Sequence, residues 1–401
     1  MNFNTKYNNF NIKYSTIKKN ISQYIKKNMV KIGSGGSNNI IIIDNNIALK
    51  IIPTKTYNKL IDTKDINEYK YYEKFYNKYI KTNITPHIVG IYKKYSVNIN
   101  NYLPNYCHDT NKKLETCCPT VDEILMGHNM DMVDYQLCTL KYAYDKKIIN
   151  HTATCLLLEY CPLTISNEIE KILYAKDEHK YKLKQLKKLL LRVIFQVVFT
   201  LAQIQKYDKH FIHNDLFLRN VLGVIENNYG INEYTEYVFN NKSYYLQANG
   251  IYIKINDFGY ALNLGKIKTS LLYEIKSSLV VNNYYEIKNN KRDIYTFLYD
   301  LYNGPSIKEL SLTTLIKKHV SHHYISLYTK EIKKVLNKFI NIHIIDKIIK
   351  KNNEILNEIY NISESNLLIN SIIEPKDYFK TSAFDYYTTL PNNGVVIKIF
   401  R

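Results

Sequence analysis

An aspartate, Asp215, stands two residues after a histidine, His213, and five before an asparagine, Asn220, in the stretch FIHNDLFLRNVL from Phe211 to Leu222. A second aspartate, Asp257, follows 42 positions later, in Ile255-Asn256-Asp257-Phe258-Gly259. A carboxylate can take the proton of an attacking hydroxyl, and an amide oxygen with a further carboxylate can hold a hard divalent cation. Moving a phosphoryl group from a nucleotide requires that equipment. The rest of the chain has to supply a phosphate cradle and a frame.

A cradle is legible upstream. VKIGSGGSNNIIIIDNNIALKII, from Val30 to Ile52, sets two β-branched runs around Gly33, Gly35 and Gly36 and returns the chain at Asp44-Asn45-Asn46. This predicts three short antiparallel strands. The glycines let backbone approach a bulky anion without side chains in the way. Lys50 closes the run among apolar neighbours at 49, 51 and 52, which predicts an ammonium aimed along an interior cleft rather than into water. A buried ammonium needs a counter-charge. The next predicted helix, about 65 to 80, offers two. Glu68 has Tyr71, Tyr72, Phe75 and Tyr76 at helical spacing and so lies on the apolar face, whereas Glu73 is followed at i+4 by Asn77; Glu68 is preferred, with Glu73 as the alternative.

The frame follows in order. Thr154–Tyr160 (TCLLLEY) reads as a buried strand ended by Cys161-Pro162, since proline has no amide hydrogen for a ladder. Residues 184–207 read as a long helix, apolar nearly all round from Leu189 to Leu201, leading into Phe211. Strands are expected near Val224 and at Tyr252–Ile255, around an Asn- and Tyr-rich excursion. A helix is expected over Asp293–Tyr299 and amphipathic helices from there to about 370, for example Glu331–Lys350. The last stretch, Tyr378–Phe400, is mixed and is expected to pack back on the larger lobe. Residues 1–28 read as a polar extension, and 95–150 as an insertion with some helix near 121–144. Within the insertion, Cys107, His108, Cys117, Cys118, His128 and Cys138 stand about ten apart, not at the two-to-four spacing of structural zinc sites; buried thiols are the simpler reading.

Composition bounds the alternatives. A chain of 401 residues with 45% hydrophobic residues can build two packed lobes. The formal charge of +19 would point to a polyanion, but arginine occurs only four times (Arg192, Arg219, Arg292, Arg401) and Asn, Ile, Lys and Tyr abound. These residues have A/T-rich codons, so the lysine excess is read as base composition and nucleic acid is not expected as a partner. No membrane partner is expected either: the longest apolar run, Val193–Ile204, is interrupted by Gln196 and Gln203 and falls short of the about 20 residues a span needs. The N-terminus MNFNTKYNNF has no apolar signal core, and six cysteines fit a reducing, intracellular, cytoplasmic setting.

Glycine hairpin, strand lysine, helix glutamate, hinge, HxDxxxxN and DFG, in that order over about 30 to 300, resemble the eukaryotic-type protein kinase superfamily. The A/T-biased composition and cysteine-bearing insertion resemble the divergent serine/threonine kinases of large DNA viruses, which would place the protein in host cytoplasm or a virion. The resemblance implies an α+β, bilobal fold: a small antiparallel β lobe with one key helix over 29–160, insertion included, and a larger mainly helical lobe over 161–401. It implies ATP and Mg²⁺ as cofactors and a protein as substrate. Gly33 and Gly35 would cover the ATP phosphates, with Ile32 and Ile40 also on the nucleotide. Lys50 would contact the α- and β-phosphates and pair with Glu68. Leu158 would back the adenine pocket, with backbone groups from Glu159 to Cys161 on the base. Asp215 would orient the acceptor and take its proton, Asn220 and Asp257 would hold metal, and Asp293 and His213 would be structural.

The departures bear on the acceptor. Asn38 replaces the third glycine, Asn214 replaces the arginine that reads activation-loop phosphate, and no APE follows the DFG. Phe217 stands where serine/threonine kinases carry lysine, while Arg219 resembles the arginine of tyrosine-kinase loops and could place its charge at the transferring phosphate. HNDL with a following Asn also resembles choline and aminoglycoside kinases, which share the fold but act on small hydroxyl compounds. A nucleotide-binding pseudokinase is a further alternative, although Lys50, Asp215, Asn220 and Asp257 are all present.

Overall fold

A computed structural model of the chain describes residues 39–44, 47–55, 68–98, 144–145, 147, 149–175, 178–263, 291–303, 330, 333–339 and 373–401. The expectations for residues 1–38, for the cysteine- and histidine-bearing part of the insertion, and for most of the helices between 304 and 372 lie outside them. The chain divides into two compact units, Met1–Asn77 with Val89–Cys161, and Lys78–Ile88 with Pro162–Arg401.

In the first unit β1 (Asn39–Asp44), β2 (Ile47–Lys55), β3 (Ile91–Asn98) and β4 (Ile149–Glu159) form one antiparallel sheet in the order β1-β2-β4-β3. The order makes β2 and β4 central. Ile47, Leu49 and Ile51 point to one face of β2, Ala48, Lys50 and Ile52 to the other, and all six are buried. In β4, Cys155–Leu158 is likewise buried, as the run TCLLLEY predicts. Residues 68–75 are helical and continue into a wider turn at Tyr76–Ile80. Glu68, Tyr72 and Phe75 recur at i, i+4 and i+7 and form the buried face of that helix.

In the second unit β5 (Leu163–Thr164) leads into α1 (Ile165–Tyr174), whose first turn is capped by the Thr164 hydroxyl accepting from Asn167 N–H. The helix α2 (His179–Tyr207) begins five residues before its expected start. Its Lys180–Tyr207 portion is long and apolar enough by length and composition to cross a membrane, but most of it is buried within the protein, as a core helix is. The chain then forms β6 (Phe211–Ile212), β7 (Val221–Glu226), β8 (Glu233–Phe239), β9 (Lys242–Gln247), β10 (Gly250–Ile255) and β11 (Leu262–Asn263). The helix α3 (Arg292–Asn303) and a terminal strand β12 (Val395–Phe400) follow.

The two expected strands are β7 and β10, paired antiparallel with Ile255 opposite Val221, and β5 extends their sheet on the far side. The Asn- and Tyr-rich excursion between them is not irregular: it folds into the β8–β9 hairpin, turning at Asn240 and Asn241, both with positive φ. Asparagine tolerates that region better than most residues. The period-2 signal is masked in sequence because tyrosines occupy both faces. Tyr237 and Tyr244 are fully buried, whereas Tyr234 and Tyr245 are only half-buried. The final stretch does return to this unit: β12 pairs in parallel with β8, and Phe400 packs on Tyr237. Phe195, Phe199, Tyr237, Tyr244, Phe379 and Phe384 form the aromatic core joining α2, the hairpin and the C-terminal segment.

The two glutamines that interrupt the apolar run of α2 each meet backbone of a strand packed against it. β10 lies at the edge of its sheet, so its outward backbone groups need partners. Gln196 supplies two, accepting from Ile253 N–H at 2.9 Å and donating to Ile251 O at 3.1 Å, while Arg192 Nε donates to Ile251 O at 2.7 Å. His87 completes the edge. Its ring Nδ1–H donates to Ile253 O at 3.1 Å, its carbonyl accepts from Ile255 N–H at 3.0 Å, and its Nε2 accepts from the Tyr237 hydroxyl at 3.0 Å. Burial holds the His87 imidazole well below the usual histidine range. Gln203 Nε2 meets Val238 O at 3.3 Å, tying α2 to the hairpin.

Candidate active site

The residues singled out in sequence fall into two groups, one in each unit. In the first unit Lys50 Nζ and Glu68 Oε1 are 2.6 Å apart, with side-chain exposures of 2% and 1%. β2 fixes the lysine between paired strands, with Lys50 opposite Ile40 on β1 and Leu156 on β4. The apolar face of the 68–75 helix brings the carboxylate to it. Glu73 is exposed and accepts from the Tyr69 hydroxyl at 2.9 Å, so the choice left open between the two glutamates falls to Glu68.

At the end of β4, Glu159 N–H donates to Gly90 O at 2.8 Å and its carboxylate accepts from Gly90 N–H at 3.4 Å. The Glu159 amide is thus engaged by its own unit, and Leu158 and Cys161 beside it are buried. Ile40 lies on β1; Ile32, Gly33 and Gly35 lie outside the described residues.

In the second unit the loop between β6 and β7 carries Asp215, Arg219 and Asn220. Asp215 Oδ1 accepts from Arg219 Nη2 at 2.7 Å, and Oδ2 accepts from Asn220 Nδ2 at 2.8 Å. The same Asn220 nitrogen donates to the Asp215 carbonyl at 2.7 Å. Both amide hydrogens of Asn220 are therefore committed to Asp215, which leaves Oδ1 as the atom the side chain can offer a cation. Arg219 also lies over the Phe217 ring, 4.5 Å from its centroid. Burial pushes the Asp215 carboxyl above its ordinary value. The Arg219 guanidinium, then His213, then the Asn220 hydrogen bond oppose the rise, and Asp257 adds to it.

Asp257 reaches this loop through the sheet. Past the Ile255–Val221 pair, Asn256 N–H donates to Asn220 O at 2.9 Å, which sets the next residue beside the loop. Asp257 itself has φ 63° and ψ 73°, a left-handed conformation that turns the chain out of the strand. His213 braces the junction: its Nε2–H donates to Asn256 O at 2.9 Å, its Nδ1 accepts from Asp215 N–H at 3.4 Å, and its ring packs on Phe258. Such an imidazole is occupied with holding two loops together.

Asp293, on the first turn of α3, accepts from His213 N–H at 2.7 Å and Asn214 N–H at 2.9 Å. Asn214 is another residue with positive φ, and the Asp293 bonds hold it there. Asp300, which sequence reasoning passed over, accepts from Leu218 N–H at 2.7 Å. Its only signal in sequence was a seven-residue spacing from Asp293, which puts both on one helix face.

A carboxylate whose two oxygens are held by a cation and an amide, next to a second carboxylate, has the chemistry to align a hydroxyl near an oxygen-ligated cation. Among the described residues no three His, Cys, Asp or Glu side chains form a metal site. One carboxylate, Asp257, and one amide oxygen, that of Asn220, suit an ion whose remaining ligands are phosphate oxygens and water.

No protein-family model matches the sequence. A protein of Acanthamoeba polyphaga mimivirus named "putative serine/threonine-protein kinase" is 33% identical over 413 aligned residues, covering 100% of this chain and 99% of that one. Among solved structures, a rhoptry antigen kinase domain of Toxoplasma gondii matches over 88% of this chain and 78% of its own, at 9% identity and a TM-score of 0.38, too distant to carry an argument. On the full-length identity to the mimivirus protein, the chain belongs to the protein kinase superfamily and is related to the divergent kinases of large DNA viruses.

Proposed function

We propose that this protein is an ATP-dependent protein kinase that transfers the γ-phosphoryl group to protein hydroxyls, those of serine or threonine. The observation that carries the reading is the Asp215 carboxylate held by Arg219 and Asn220, with Asp257 delivered beside it by the β7–β10 register. Asp215 orients the acceptor hydroxyl and takes its proton as the acceptor oxygen bonds to the γ-phosphorus and the bridging P–O bond breaks to release ADP. A carboxyl raised by burial is a better proton acceptor than an ordinary aspartate. Arg219, exposed beside it, offers a guanidinium to the transferring phosphoryl oxygens.

Lys50, oriented by Glu68, binds the α- and β-phosphates, with Gly33 and Gly35 covering them, Ile32 and Ile40 against the nucleotide, and the segment from Glu159 to Cys161 on the base. Asn220 Oδ1 and the Asp257 carboxylate would hold Mg²⁺, whose chemistry when bound is to neutralise charge on the β- and γ-phosphate oxygens. The serine or threonine preference draws support from the name of the mimivirus relative.

The test is transfer of labelled γ-phosphate from ATP, with Mg²⁺, to generic proteins and to a panel of small hydroxyl compounds, with Asp215→Ala as control. Acid-stable label on protein serine or threonine, absent in the control, is expected. Label on phosphotyrosine alone would overturn the acceptor assignment, and label on choline-like or sugar compounds alone would move the protein to the small-molecule kinases. Tight ATP binding with no transfer to any acceptor would make it a pseudokinase.

A further inference from the structure

The turn Leu218–Asn220 carries both groups that hold the Asp215 carboxylate, so whatever fixes this turn fixes the base. The backbone hydrogen bonds of the loop show what does. His213 N–H and Asn214 N–H go to Asp293, Asp215 N–H to the His213 ring, Phe217 N–H to the Asp215 carbonyl, and Asn220 N–H to the Phe217 carbonyl. All but the first two of these partners belong to the loop itself. The leading amide of the turn, Leu218 N–H, has no acceptor inside a three-residue turn and reaches out to Asp300 Oδ2 at 2.7 Å. Asp293 and Asp300 are seven residues apart on α3, nearly two full turns, and so project from one face. One helix therefore holds the loop at both ends, Asp293 ahead of Asp215 and Asp300 behind it.

We propose that Asp300 is a positioning residue for phosphoryl transfer: by accepting from Leu218 N–H it sets the turn that brings Arg219 and Asn220 onto Asp215. The inference rests on the kinase reading above. Asp300 touches neither nucleotide nor acceptor in this role, so it acts on the chemical step and leaves nucleotide affinity alone. Geometry makes the dependence steep, because a displacement of about 1 Å at a reacting group can cost about 100-fold in rate.

The experiment measures kcat, KM for ATP, nucleotide affinity and melting temperature for Asp300→Leu and Asp300→Asn in the full chain, alone and on a Leu218→Pro background. Proline lacks the donated hydrogen, and Phe217 before it already has the extended backbone (φ −84°, ψ 164°) a pre-proline residue needs. Asp300→Leu is expected to lower kcat about 10- to 100-fold with nucleotide affinity within about 2-fold. Asp300→Asn keeps an oxygen for the amide and is expected to recover most of the rate. On the Leu218→Pro background, Asp300→Leu is expected to add no further loss, since the bond is already gone.

An active wild type whose kcat survives Asp300→Leu overturns the proposal. So does a loss of kcat that multiplies with that of Leu218→Pro, or one that follows the melting temperature alike in Leu and Asn variants. A wild type that binds ATP and transfers phosphate to nothing refutes the kinase reading instead and takes this role with it. Amide deuterium exchange of residues 216–220 then still reads the clamp, and faster exchange in Asp300→Leu is its signature.

Discussion

Removing Glu68 should unfold the first unit's design from the inside. The Lys50–Glu68 pair is 2.6 Å long and excluded from water on both sides. At an effective dielectric of about 20 the attraction at that distance is about 6 kcal/mol, most of which the desolvation of two ions cancels. The intact pair therefore contributes little net stability. Deleting one partner is different, because an uncompensated charge stays buried, and Glu68→Ala is predicted to cost about 3–5 kcal/mol. Glu73→Ala, on the exposed side of the same helix, should cost less than about 0.5 kcal/mol. The double variant Lys50→Met with Glu68→Leu replaces the pair by apolar groups of similar size and should return to within about 1.5 kcal/mol of wild type. The chain contains no tryptophan, so urea unfolding is best followed by far-UV circular dichroism and tyrosine fluorescence. With a slope of about 2 kcal/mol per molar urea, Glu68→Ala should lower the midpoint by about 2 M. A Glu68→Ala protein as stable as Glu73→Ala would refute the buried ion pair. A double variant no better than the worse single would refute the argument that desolvation cancels its attraction.

Three further predictions concern the second unit. His87 is buried with its imidazole held well below the ordinary range, so between that depressed value and about 6.5 the unfolded chain binds a proton the folded one does not; stability should fall as pH drops below about 6.5, by up to about 1.4 kcal/mol per pH unit, and His87→Gln should flatten that slope in urea titrations at pH 5.5–7.5. Burial raises the Asp215 carboxyl and Arg219 is the strongest influence lowering it, so Arg219→Gln should move the acid limb of the pH–kcat profile to higher pH, and an unmoved or lowered limb would dissociate the two groups. Phe400 is buried on Tyr237 at the end of β12, and Phe400→Ala should cost about 3 kcal/mol in chemical denaturation; a change under about 1 kcal/mol would mean that the terminal strand does not hold to β8 in solution.

Local chemistry announced itself in the sequence. The β-branched runs around Lys50 and the continuous apolar stretch of α2 depend on neighbours within a few residues and fold as those patterns predict, and the HxDxxxxN and DFG stretches are as local. The preference for Glu68 over Glu73 also came from a local pattern, one apolar helix face. What only tertiary structure decided were pairings between segments far apart in the chain. Gln196 read as a flaw in an apolar run until β10, 57 residues later, supplied the edge it satisfies. The β8–β9 hairpin hid because tyrosines on both faces erase a period of two, and its partner β12 comes from the other end of the chain, beyond the reach of any local signal. Asp300 lay unnoticed for the same reason: a carboxylate on an amphipathic helix looks solvated until the loop whose amide it accepts, 82 residues earlier, is folded against it. Sequence spacing names the candidate groups for phosphoryl transfer, because that reaction demands those types together. The buried hydrogen bonds that hold them are settled only when folding removes water and each donor must find whichever acceptor the topology brings near.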